Sequence, residues 1–339
     1  MSTILGNPIT LGGGGGNELI VTAPTGSTVT ATKGSITKTA TEKNGTWTFK
    51  GLEAGNWTVT AVKGSDSTSS VVTISAETVT LSFKPTASLT PQSGVTYTNG
   101  ISGISAEKMS LYAETISNNA SITNATSAVY IDDGANHYKV SIGDQVTLAL
   151  NGANYTFDVI GFNHDTLTNA SAYGANTATG KAGITFQMHD LFATSYAMNG
   201  SYTNVGGWKN SKMRTSTMST MKGYLPTAWQ TAIKQVNKAS GLGGGSSSGT
   251  ETVSDSCFLL AEIEIFGFTE SSVSGEGTQY AYYKAGNSKV KRKSGSAAYW
   301  WERSPASVNE KSFCTVNNSG SVNESGAAST QGVAFAFCV

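Results

Sequence analysis

Between residues 18 and 83 apolar and polar positions alternate in short runs, each closed by a turn signal. Residues 18–23 and 27–31 read as strands separated by Pro24-Thr25-Gly26. Asn44-Gly45 is a hairpin signal, because both residues tolerate the positive φ of a tight primed turn. Trp47 and Phe49 then share one strand face, and Trp57, Val59 and Ala61 share the next. Residues 71–74 and 79–83 supply two further runs. About seven short strands with turns every ~8–12 residues predict a small β-sandwich over 17–85. Ahead of it, Ile4, Leu5, Ile9 and Leu11 precede a run of glycines at 12–16. That order suggests a docking peptide (1–16) with a flexible joint behind it.

A linker is expected at 86–96, punctuated by Pro91 and Gly94. From residue 97 to 339 the pattern is mixed. Met109, Tyr112, Ala113 and Ile116 recur at helical spacing behind Ser105, which is placed to cap a short helix. Residues 140–161 read as a β-meander turning at Asn151-Gly152. Pro226 predicts the first turn of a second helix, with Trp229, Ile233 and Val236 on one face and Gly241 ending it. Residues 241–249 form a Gly/Ser loop, and the alternation of Glu262 and Glu264 with Ile263 and Ile265 predicts a strand over 257–268.

The charge pattern narrows the function classes. Lys plus Arg and Asp plus Glu number 22 each, and charged residues are only 13% of the chain. Zero net charge argues against a general nucleic-acid binder, which needs excess cations against phosphate. No apolar run is long enough for a membrane helix. The N-terminus lacks the cationic start of a secretory signal. Three cysteines, Cys257, Cys314 and Cys338, are too few and too unevenly spaced for a disulfide framework or a zinc knuckle, and are expected as buried thiols. A charge-poor surface rich in Ser, Thr, Asn and aromatics, without an export signal, suggests a protein that leaves its cell by lysis and works on a virion.

The segment TEKNGTWTFKGLEAGNWTVTAVKG resembles the carboxypeptidase-regulatory and Cna-B-like immunoglobulin-like modules, which mostly act as spacers. Some of these carry an internal Lys–Asn isopeptide bond; no such pair is expected in this sandwich. Further on, IGDQVTL with YTFDVIGFNHD, GGWKNSKMR with SCFLLAEIEIFG, and YWWERSP with FCTVNNSG and GVAFAFCV resemble an uncharacterised family of prophage and surface proteins of Gram-positive bacteria. The terminal blocks also resemble the C-type-lectin-like fold. The fold class expected is therefore mainly β: an immunoglobulin-like sandwich followed by an α+β lectin-like domain whose last strand returns beside its first.

That resemblance implies variable polar loops displayed on a fixed core. Candidate ligand-binding residues are Tyr280, Tyr282, Tyr283 and Trp300 with Asn309, Asn317, Asn318 and Asn323. Aromatic rings give contact area at low entropic cost, and amides give adaptable hydrogen bonds. Trp300-Trp301 has a competing reading as core scaffold, and Glu302-Arg303 is expected to pair and order a Ser304-Pro305 turn. His164-Asp165 and His189-Asp190 are the residues that a metal would use, but no metal or other cofactor is expected, and no catalytic motif is present. Lys284, Lys289, Lys291, Arg292 and Lys293 read as a solvated basic cluster. The expected function is a non-enzymatic virion structural protein of tail-fibre or baseplate type. It would dock on other virion proteins through Ile4, Leu5, Ile9 and Leu11 and bind a host-surface glycan or protein. A homo-oligomer, with a trimer favoured, would multiply weak affinities. The alternatives are a capsid decoration or head-fibre protein, or a bacterial surface adhesin.

Overall fold

A computed structural model of the chain describes residues 17–339 except 25, 44, 64–65, 77, 134–135, 174–177 and 246–248. The proposed docking residues Ile4, Leu5, Ile9 and Leu11 lie outside the described residues. The fold is mainly β, built from several mostly antiparallel sheets. It divides into two compact units. The first takes in the chain up to Asn99 with Val129–Val140, and the second comprises Gly100–Ala128, Ser141–Ala172 and Thr179–Val339.

The first unit opens with β1 (Leu19–Thr22), β2 (Thr28–Lys33), β3 (Ile36–Thr39), β4 (Glu42–Lys43), β5 (Thr46–Phe49), β6 (Gly55–Lys63), β7 (Asp66–Ile74) and β8 (Val79–Ser82). They form two four-stranded sheets, ordered β4-β5-β1-β8 and β3-β2-β6-β7. The period-2 alternation explains the pairing. Leu19, Val21, Trp47, Phe49 and Leu81 from one sheet and Val29, Ala31, Trp57, Val59 and Ile74 from the other are buried in one apolar cluster. Trp57 is buried without a lost donor, since its Nε1 donates to the Glu53 carbonyl at 2.8 Å.

The linker expected at 86–96 is partly structured. Residues 86–88 form β9 (Thr86–Ser88), which pairs with β11 (Ala128–Asp132), while β10 (Thr98–Asn99) pairs with β12 (His137–Ser141). Pairing across so long a stretch of chain is invisible to a local reading of Pro91 and Gly94.

The second unit begins with α1 (Ala106–Ser117), the helix foreseen from its spacing. Ser105 Oγ accepts from Lys108 N at 3.3 Å, satisfying one orphan donor of the first turn. Ser105→Ala is expected to cost about 1 kcal/mol, read as a lower denaturant midpoint. Gly183 explains how closely α1 is approached, since a Cβ there would sit 1.9 Å from the Ala113 carbonyl oxygen. The meander is β13 (Gln145–Leu150) and β14 (Ala153–Phe162), followed by β15 (Ile184–Met188) and β16 (Tyr196–Ala197).

Next come α2 (Gly207–Asn210), a π-helical turn at Met213–Thr217, α3 (Met218–Tyr224) and α4 (Thr227–Ala232). The helix starting at Pro226 is shorter than expected. It stops at Ala232, and Val236–Gly241 is β17, paired with β18 (Thr250–Asp255). Lys234 N donates to the Cys338 carbonyl, so sheet pairing overrides helix continuation.

The strand expected over 257–268 is also corrected. Only β19 (Cys257–Phe258) is extended, and Glu262–Phe266 is the helix α5. Glu264 Oε2 accepts from Ala261 N at 3.0 Å, half of a capping box, because Ala261 has no polar side chain to return the bond. After α6 (Ala281–Lys284) come β20 (Lys291–Lys293), β21 (Ser296–Ala298), β22 (Trp300–Pro305), β23 (Ser312–Val316), β24 (Val322–Gly326), β25 (Thr330–Gln331) and β26 (Ala336–Cys338). The terminal strand β26 lies between β15 and β19 in a sheet ordered β13-β14-β15-β26-β19. It does not return beside β13, the first strand of that sheet. Phe335 and Phe337 pack there against Phe157 at 5.5 and 5.4 Å between ring centroids.

Candidate functional site

Four of the residues expected at a binding surface are core. Tyr280 is 0% exposed and Trp300 is likewise sealed, while Tyr282 retains 8%. Each polar tip has an internal partner or a covered environment, which explains how the rings stay inside. Tyr280 donates to both oxygens of Asp165 at 3.0 and 2.9 Å and stacks on His164 at 3.8 Å. Tyr283 donates to Gln187 Oε1 at 2.6 Å, and Tyr282 meets Tyr283 edge-on at 5.1 Å. Trp300 Nε1 donates to the Lys289 carbonyl at 3.0 Å. Burial pushes the Tyr280 hydroxyl well above its ordinary value, and the carboxylates of Asp165 and Glu264 push it further, so it stays protonated.

The asparagines stand differently. Asn309 is half-buried and structural: its Nδ2 donates to Ser312 Oγ and its Oδ1 accepts from Lys311 N. Asn317 Oδ1 accepts from Ser319 N and Ser321 N at 2.9 and 3.0 Å, closing the turn between β23 and β24. Asn318 is exposed on that turn, and Asn323 is half-buried in β24. The loop carrying Asn309 is held from below by Asn204. Its side-chain amide donates to the carbonyls of Ala306, Asn309 and Ser312, and its oxygen accepts from Gly244 N.

Behind these loops lies a buried ionic network with no sequence signature. Lys238 on β17 donates to Asp165 Oδ1 at 2.6 Å and to Glu264 Oε1 at 2.7 Å. Arg303 on β22 grips Glu264 through two nitrogens, at 2.5 and 2.9 Å, and also donates to the carbonyls of Ala239, Leu259 and Glu276. Burial alone would raise both carboxylates. Their partners outweigh it: the Arg303 and Lys238 charges hold Glu264 below its usual value, and Lys238, with His164 beside it, holds Asp165 well below.

The expected Glu302–Arg303 pair does not form. Neighbours in one strand point apart, so Arg303 meets Glu264 while both carboxyl oxygens of Glu302 are buried without a hydrogen-bond partner among the described residues. Burial pushes Glu302 well above the usual carboxylate range, and Glu262 and Glu276 add to it. Ser304-Pro305 belongs to β22 and is not a turn.

The basic cluster is only partly solvated: Lys291 is buried, its Nζ donating to the carbonyls of Met188 and His189, and burial lowers it to about 8. Among the described residues no group of three His, Cys, Asp or Glu side chains is arranged to hold a metal ion. His189 pairs with Asp158 at 2.9 Å, and His164 Nε2 lies 3.0 Å from the Thr278 carbonyl. All three cysteines are free and buried.

One surface depression among the described residues is an open cleft of about 340 Å³, lined by Phe266, Phe268, Glu270, Lys289, Gly320, Ser321 and Val322. Three elements build it: the end of α5, the loop between α6 and β20, and the hairpin turn between β23 and β24. Gly267 ends α5 in the left-handed conformation (φ +80°), which turns Phe268 outward. Phe268 is 51% exposed, and its ring lies 5.7 Å from that of Phe266. Lys289 Nζ sits over the Phe266 ring at 5.6 Å. Two expected residues thus reach the cleft indirectly: Trp300 holds the backbone of Lys289, and Asn317 shapes the turn that presents Ser321. Sequence reasoning missed Phe266, Phe268 and Glu270 because a short Phe-Gly-Phe run looks like any strand end.

A family described as a domain of unknown function (DUF6273) matches residues 182–339, which include the whole cleft. No curated protein matches this chain, and neither does any solved structure.

Proposed function

We propose that this chain is a recognition protein that binds carbohydrate through the cleft beside Phe268, its role being attachment and not turnover. The observation that carries this reading is a half-exposed phenylalanine flanked by a lysine, a glutamate and a serine hydroxyl in one open depression. An aromatic face accepts the C–H face of a pyranose, and the surrounding donors and acceptors fix its hydroxyls, the usual mixture in a small-ligand site. In this reading the second unit has a C-type-lectin-like architecture and the first an immunoglobulin-like one that acts as a spacer. A place on a virion rests on the sequence resemblance and on the charge-poor, polar-aromatic composition, and docking rests on the apolar residues ahead of the glycine run at 12–16. An oligomer would make a shallow, weak site effective through multivalency.

The test is to present the full chain to intact Gram-positive cells and to arrays of bacterial surface glycans. Saturable binding that a soluble polysaccharide displaces is expected. Absence of binding to every cell and glycan would overturn the reading.

A further inference from the structure

The cluster of Lys238, Asp165, Glu264 and Tyr280 plays no part in glycan recognition, yet it brings an amine and a carboxyl into contact in a dry interior. We propose that Lys238 and Asp165 become joined by an intramolecular amide bond, formed by the folded chain itself, with Glu264 as proton acceptor and Tyr280 as hydrogen-bond donor to the reacting carboxyl.

The geometry carries the proposal. Lys238 Nζ is 2.6 Å from Asp165 Oδ1 and 2.7 Å from Glu264 Oε1, and each of the three side chains is 2% exposed. Tyr280 OH spans both Asp165 oxygens. The Phe258 ring closes one side, with Nζ 4.3 Å from its centroid. Ions that lose water are costly to keep, whereas the amide product is neutral. Fold-imposed contact replaces the entropy cost of a bimolecular encounter. Arg303 grips Glu264 through two nitrogens and so fixes its carboxylate beside Lys238 Nζ.

The step balances without a co-reactant. A proton first passes from Lys238 Nζ to Asp165 Oδ1 along their hydrogen bond, giving a neutral amine and a neutral carboxylic acid. The amine lone pair attacks Asp165 Cγ while Tyr280 donates to Oδ2, where charge gathers, and Glu264 takes a second proton from Nζ. Glu264 returns that proton to the Asp165 hydroxyl, which leaves as water, so a C–N bond forms and a C–O bond breaks. Nothing is oxidised or reduced. The bond would staple the segment after β14 to β17 across a separation of 73 residues.

The experiment is the intact mass of the denatured full chain, followed by peptide mapping. A wild-type mass lower than the sequence mass by one water is expected, with a branched peptide joining Lys238 to Asp165. Lys238→Arg should restore the full mass. Asp165→Asn, which keeps the shape, should release ammonia in place of water. A wild-type chain at full sequence mass, or a branch joining Lys238 to Glu264, would overturn the proposal without depending on the folding of any variant.

Discussion

Arg303→Met is expected to destabilise the second unit by roughly 3–5 kcal/mol, the range for removing one partner of a buried ion pair. The guanidinium is fully buried and holds two oxygens of Glu264 together with three backbone carbonyls on separate segments. Methionine fills much of the volume, so the loss is electrostatic and not a cavity effect. It leaves Glu264 with Lys238 and a single backbone donor, and three carbonyls without their shared partner. Arg303→Lys should recover little, because one ammonium cannot reproduce the planar fork. Urea unfolding of the full chain should show the transition of the second unit moving to lower denaturant for both variants. An unchanged midpoint would mean that the network contributes no net stability.

Glu302→Gln is expected to act in the opposite direction, and increasingly so as pH rises. The folded chain holds this carboxyl well above its ordinary value of 4.5, first through burial and then through Glu262 and Glu276, against a lowering influence of Arg303. A raised acid binds its proton more tightly folded than unfolded. Its contribution is therefore fully present below pH 4.5 and is lost as pH climbs toward the folded value. Over that window wild-type stability should fall by up to about 1.4 kcal/mol per pH unit from this group. Glutamine is neutral throughout and similar in shape, so the variant should match wild type near pH 4.5 and exceed it at pH 7. Thermal midpoints measured across that range decide it: parallel curves would show that Glu302 is ionised in the fold or hydrated.

Local periodicity reveals the parts of this fold whose contacts are local. The cap at Ser105 and the i, i+3, i+4, i+7 stripe of α1 act within a few residues, and strand alternation in the first unit places Trp47 and Trp57 in its core directly. The same rule misleads at 262–265. A two-residue period over four positions also fits one helical turn, and here it was the burial of both glutamates against distant partners that decided the outcome. Glu262 accepts from the backbone of Ser271 and Ser272, and Glu264 from Lys238 and Arg303. The helix after Pro226 fails for the same reason, since β17 is claimed by β18 and the chain before it by β26.

The site was legible only at its edges. Asn317 and Trp300 stand next to the cleft, but as supports: one closes a turn and the other anchors a backbone carbonyl. Aromatic chemistry suits a display group, yet a tyrosine whose hydroxyl finds a carboxylate, as Tyr280 does, is stable inside. Whether a ring faces in or out depends on partners far away in sequence. Phe268 faces out because Gly267 turns the chain at the end of α5, a signal that gains meaning only once 262–266 is known to be helical.

If the Phe268 cleft is the recognition surface, as proposed, a binding titration of wild type and Phe268→Ala against the same surface polysaccharide, with unfolding midpoints recorded for both, will show it. Removing the half-exposed ring should weaken binding by about tenfold, or about 1.4 kcal/mol, while the midpoint stays where it was. Equal affinity of the two proteins for the polysaccharide would place recognition elsewhere on the chain.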